Sequence, residues 1–145
     1  MRIAVLDSDR TQSDLIVQVL ATAGHACHAF GTARDLLAHM RKDQYDMLVL
    51  DWAVADMAGT EVLECAREKL APEAPVMFIT GANGEDDIVT ALDAGAGDFL
   101  VKPLRRAELL VRVQAMLRRA YPSQNEAEQL QFGPYLFETR PGRLL

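Results

Sequence analysis

"DMLVLD", residues 46–51, sets four consecutive apolar residues between two aspartates. An unbroken apolar run of this length suits a strand covered on both faces, as in the middle of a parallel sheet. Similar runs lie on either side: "RIAVL" (2–6), "HACHAF" (25–30), "PVMFIT" (75–80) and "DFLV" (98–101). Between them the period lengthens to that of a helix. "TQSDLIVQVLATAG" (11–24) carries Leu15, Val19 and Leu20 at helical spacing and closes on Gly24. "TARDLLAHMRK" (32–42) has Thr32 as its N-cap, and "GTEVLECAREKL" (59–70) is stopped by Pro72. "EDDIVTALDAG" (85–95) opens on three acids, which the helix dipole favours, and Gly95 ends it. "RRAELLVRVQAMLRRA" (105–120) completes the series. Five strand–helix units in strict alternation predict an α/β, doubly wound parallel sheet with right-handed crossovers.

The bulk numbers agree with one such domain and a short remainder. The chain has 145 residues, half of them apolar and a quarter charged, with a net charge of −6. That acidity argues against nucleic-acid binding by this domain itself, because phosphate contacts need a basic face. No stretch approaches the ~20 apolar residues of a membrane span, and the chain opens directly as a strand with no signal-peptide pattern. Cys27 and Cys65 lack metal-ligand spacing and read as reduced, structural thiols of a cytoplasmic protein. From Tyr121 the character changes. "YPSQNEAEQ" (121–129) reads as a linker. "LQFGPYLFETRPGRLL" (130–145) alternates apolar and polar residues around two Pro/Gly turns, as at the start of a second, β-rich domain.

Ligands of such sheets bind beyond the carboxyl ends of the strands. There the sequence places Asp7, Ser8 and Asp9 after the first strand, Asp51 after the third, Thr80 at the end of the fourth, and Lys102-Pro103 after the fifth. Gathered at one sheet edge, these carboxylates repel, and they stay ionised only beside a cation. Lys102 supplies one positive charge. A hard divalent ion such as Mg²⁺, which takes one or two carboxylates together with water and phosphate oxygens, supplies more. An aspartate in such a site can itself accept a phosphoryl group.

With these residues in place the chain resembles the CheY-like receiver domain of two-component response regulators. The resemblance rests on Asp7, Asp51 after "MLVL", Thr80 in "FITG" and "DFLVKPL" (98–104). It implies a flavodoxin-like (βα)5 fold with strand order 2-1-3-4-5 and a receiver over 1–120. It makes Asp51 the phosphoacceptor, with Thr80 and Lys102 binding the phosphoryl group. Mg²⁺ would be held by Asp7, Asp51 and the Ala53 carbonyl. Phe99 becomes the aromatic that turns inward on activation, and the Lys102–Pro103 bond is expected to be cis. The donor would be a phosphohistidine on a sensor histidine kinase. The protein would be a switch that catalyses only its own phosphorylation and slow hydrolysis. The 130–145 segment is similar to the opening strands of the OmpR/PhoB winged-helix effector, so transcription would be regulated through a DNA-binding domain mostly absent from this chain.

Three departures from the pattern matter. The family has two adjacent acids after the first strand, and the second is here Ser8, a neutral ligand at best. Asp9 could replace it only if the loop shifts, and it also suits the N-cap of the first helix. The proline usual four residues after the phosphoacceptor is here Ala55. Last, receivers of this subfamily dimerise through the fourth helix, fifth strand and fifth helix. Asp98, Glu108 and Arg112 match acidic and basic positions of that face's ion-pair ring, and Val89, Leu92 and Leu110 could supply its apolar patch, but residues 85–94 contain no Lys or Arg. The alternative reading is a pseudo-receiver in which Ser8 abolishes metal binding and the fold serves only for dimerisation. His25, His28 and His39 take no catalytic role, and Trp52 reads as a bulky loop residue beside Asp51.

Overall fold

Five parallel strands in the order β2-β1-β3-β4-β5 form the middle layer of the computed structural model. It describes residues 1–53, 56–81, 89, 90, 92, 93, 95 and 97–122. The elements are β1 (Arg2–Leu6), α1 (Arg10–Thr22), β2 (Ala26–Phe30), α2 (Ala33–His39), β3 (Met47–Asp51), α3 (Gly59–Arg67), β4 (Val76–Thr80), β5 (Asp98–Val101) and α4 (Arg106–Ala120). Val89, Thr90, Leu92 and Asp93, within the helix expected at 85–95, are helical. Ala55, the remainder of that helix except Gly95, and the 130–145 segment lie outside the described residues, as does the linker beyond Pro122.

The three inner strands are buried nearly throughout because helices cover both faces. Alternation within each strand feeds two cores. Leu6, Leu48, Leu50 and Phe78 point toward α2 and α3, where they meet Leu36, Val62 and Leu63. Ile3, Val5, Val49 and Ile79 point the other way, to Ile16 and Leu20 of α1 and Leu109 and Val113 of α4. Each fully buried aliphatic side chain contributes about 1.5–3 kcal/mol relative to exposure. Trp52, just after β3, stands edge-on to Phe78 at 5.0 Å between ring centroids and lies over the first turn of α3. A Cβ on Gly59 would come within 2.6 Å of the indole Cε3, so that first turn needs the missing side chain.

Three helices end before their sequence pattern, the first at Thr22 rather than Gly24. The second spans 33–39 rather than 32–42, and the third ends at Arg67 rather than residue 70. In α3 the Arg67 guanidinium reaches out to the Ala74 carbonyl at 2.6 Å, and residues 68–70 become a turn leading into β4. Pro72 restricts only the residue before it, so the proline marked the connection and not the last helical residue. The third strand runs one residue further than its apolar run, which makes Asp51 its last member.

Candidate functional site at the carboxyl edge of the sheet

Register brings the expected residues together. Leu6 pairs with Leu50, so Asp7 and Asp51 occupy matching positions on neighbouring strands. Asp51 pairs with Ile79, one residue before Thr80, and Thr80 pairs with Val101, one residue before Lys102. The Asp7 amide continues the ladder to the Phe30 carbonyl at 3.0 Å, and the Trp52 amide to Ile79 at 2.9 Å. The Lys102 amide donates to the Thr80 carbonyl at 2.8 Å. Asp7, Asp51 and Thr80 are among the few buried polar side chains, each 5 % exposed or less. The Lys102–Pro103 peptide bond is cis.

Lys102 Nζ stands 3.4 and 3.5 Å from the two carboxylate oxygens of Asp51. A tight charge-assisted bond is about 2.7–2.9 Å, so this is a loose coulombic contact. The Ala53 amide donates to Asp51 Oδ1 at 3.2 Å. Asp7 Oδ1 accepts from the Asp9 amide at 2.8 Å, whereas Asp7 Oδ2 is buried with no hydrogen-bond partner. Burial pushes the Asp7 carboxyl up to about 6. The Asp9 amide opposes that rise and the neighbouring Asp51 charge adds to it. A buried carboxylate oxygen without a donor is a costly arrangement that a cation relieves. Asp7, Asp51 and the nearby Ala53 backbone are therefore a donor set that fits a hard ion, although no group of three or more His, Cys, Asp or Glu side chains gathers among the described residues.

The remaining expectations divide. Ser8 is exposed. Asp9 caps α1, its Oδ1 accepting from the amides of Thr11 and Gln12 at 3.0 and 3.4 Å, so its carboxylate is engaged away from the cluster. Phe99 is half-buried against the core that holds Phe78. Of the expected apolar patch, Val89 and Leu92 are exposed at 62 % and 43 %, while Leu110 is half-buried against the α1–α4 core. Arg112 bonds both oxygens of Asp98 at 3.2 Å and lies 3.5 Å from Glu108, so these three pair within the chain. None of the histidines joins the cluster. His25, for instance, ties the N-terminal amine to Gln114.

Asp56 escaped sequence reasoning. It lies five residues beyond Asp51, yet its carboxylate accepts from the amides of Ala33 and Arg34 in α2 at 3.0 and 3.1 Å. A helix-capping aspartate is recognisable when it precedes its own helix. One supplied by a distant loop leaves no local signal.

Comparison with known proteins agrees with this geometry. A family model described as the response regulator receiver domain matches residues 3–114. The transcriptional regulatory proteins HprR and PcoR of Escherichia coli are 36 % and 34 % identical over 119 residues, 82 % of this chain and 52 % of theirs. The phosphate regulon transcriptional regulatory protein PhoB of Pseudomonas aeruginosa is 29 % identical over 126 residues, 86 % of this chain and 55 % of that protein. The chain thus spans about half the length of these relatives. Among solved structures, a CheY-like receiver domain protein from Methanospirillum hungatei superposes with a TM-score of 0.77 at 28 % identity, covering 84 % of this chain and 97 % of its own. The sequence match and the strand-end cluster lead to one conclusion: the chain belongs to the response regulator receiver domain family.

Proposed function

We propose that this domain is a phosphorylation-dependent switch in which Asp51 accepts a phosphoryl group from a phosphohistidine of a sensor histidine kinase. The observation that carries the reading is the Asp51 carboxylate itself: buried at the end of β3, loosely held by Lys102, and next to the partnerless oxygen of Asp7. In nucleophilic transfer the Asp51 carboxylate attacks phosphorus, the P–N bond to the histidine breaks, and an acyl phosphate forms. Asp7, Asp51 and the Ala53 carbonyl would hold Mg²⁺, which supplies charge neutralisation for the incoming phosphoryl oxygens. Lys102 neutralises the remaining charge and the Thr80 hydroxyl donates to a phosphoryl oxygen.

The output is a population shift. The Thr80 and Lys102 contacts are better in the active form, Phe99 moves further inward, and the face formed by residues 89–93, β5 and α4 changes. A second copy docks there through Val89 and Leu92, with Asp98, Glu108 and Arg112 exchanging internal for intermolecular pairs. By analogy with its transcription-regulator relatives, the domain controls DNA binding by an effector beginning near residue 130, in the cytoplasm. Among the described residues no helix is long and apolar enough to cross a membrane.

Incubation with acetyl phosphate and Mg²⁺, followed by intact mass measurement, tests the core of the reading. The wild-type chain should gain one phosphoryl group, and Asp51→Asn should gain none. A wild-type chain that gains none, with Trp52 fluorescence also unmoved by Mg²⁺, would replace the switch with the phosphorylation-independent dimerisation module.

A further inference from the structure

The loop that follows Asp51 is fixed at several points. The Trp52 amide bonds Ile79, the Ala53 amide bonds Asp51, and Met57 packs against the α2–α3 core. A further anchor is Asp56, which bridges to another element. Both oxygens of Asp56 take amides of the first turn of α2, those of Ala33 and Arg34. The rest of that turn is served locally, by Thr32 Oγ1 accepting from the Asp35 amide at 3.2 Å. These two amide bonds hold the Asp56 carboxyl below its ordinary range, the Ala33 bond contributing most, so the carboxylate is ionised at neutral pH. The helix it grips is itself immobilised, because Ala33 and Leu36 are fully buried.

We propose that Asp56 is a positioning residue for the Asp51 site: it pins the β3–α3 loop to the first turn of α2, and so sets where the Ala53 carbonyl stands relative to Asp51. The proposal rests on the switch reading above. A proline at 55 would restrict the loop from within by fixing φ. With alanine there, the restriction comes from outside, through a two-pronged bond to a buried helix. Outer partners that hydrogen-bond a metal ligand directly are worth roughly 10–100-fold in metal affinity; Asp56 acts one step further out, through the loop backbone, so an effect at the lower end of that range is expected.

The experiment compares three variants, Asp56→Ala, Asp56→Asn and Thr32→Ala. Thr32→Ala is the control: it removes the other cap of α2 without touching the loop. Thermal unfolding monitors stability, Trp52 fluorescence monitors Mg²⁺ binding, and amide hydrogen exchange without metal monitors the loop. Asp56→Ala is expected to weaken Mg²⁺ binding roughly tenfold and to speed exchange at Ala53 and Met57 by a similar factor. Asp56→Asn, which keeps one acceptor oxygen, should fall between it and the wild type. Thr32→Ala should lower the melting temperature yet leave the Mg²⁺ midpoint and loop exchange as they were. If Asp56→Ala and Thr32→Ala both merely lower the melting temperature, Asp56 is a cap of α2 and the proposal is overturned. A wild-type chain that binds no Mg²⁺ while Asp56→Ala still frees the loop would instead overturn the switch reading.

Discussion

The two ends of the sheet are built to opposite standards. At the amino end, Asp46 and His25 are closely paired, although the nearby Tyr45 hydroxyl is buried without a partner. The Asp46 carboxylate accepts from the Arg2 amide at 2.7 Å, and the Asp46 carbonyl accepts from the Tyr121 hydroxyl at 2.8 Å. His25 Nε2 bonds Gln114 at 2.9 Å. At the carboxyl end, the Lys102–Asp51 contact is loose and Asp7 Oδ2 faces no donor. Closely paired groups stabilise modestly, whereas a buried unpaired one is expensive. One end therefore ties the start of β3 to β1 and to the end of α4. The other keeps charge in a strained balance that an incoming ligand can relieve.

The sharpest way to break this contrast is to neutralise Asp7. Its folded-state carboxyl, at about 6, lies above the ordinary 3.8, so the folded form holds its proton more tightly than the unfolded chain. Below about pH 4 both forms are protonated and Asp7 costs nothing. Stability falls as pH rises from about 4 to about 6, and above that the ionised, buried group costs about 3 kcal/mol. In chelator, Asp7→Asn should therefore raise stability at pH 7 by up to that amount and change little at pH 4. Denaturant unfolding at the two pH values checks it, and equal effects at both would show that charge is not the cause. A smaller effect is expected from adding an acid. Ser8→Asp should tighten Mg²⁺ binding roughly tenfold, about 1.4 kcal/mol. An unchanged fluorescence midpoint would show that Ser8 does not limit the site. The smallest effect belongs to the well-paired end. Tyr121→Phe removes one hydroxyl bond to Asp46 and should lower stability by about 1 kcal/mol, with no change in Mg²⁺ binding. A changed Mg²⁺ midpoint would mean that the two ends are coupled.

Much of this was legible before any coordinates. The strands, the helices and the capping by Asp9 and Thr32 follow from patterns local in sequence; the carboxyl-edge cluster follows from the strict alternation of strand and helix, and the strand order from the resemblance to receiver domains. The misplaced features depend on distant partners. The early end of α3 accompanies the reach of Arg67 to Ala74. The Asp56 clamp joins residues 22 and 23 apart in sequence, which no periodicity records. Nor could the acids themselves reveal that Asp7 keeps one oxygen bare.

The contact between Trp52 and Gly59 has a consequence for how this sequence can drift. The indole fills the space where a side chain at 59 would begin, so the two positions cannot vary independently. A lineage that replaces Gly59 has to move or shrink residue 52. Variation at these two sites should thus be correlated among relatives, and a sequence that breaks the pairing marks a loop rebuilt in some other way.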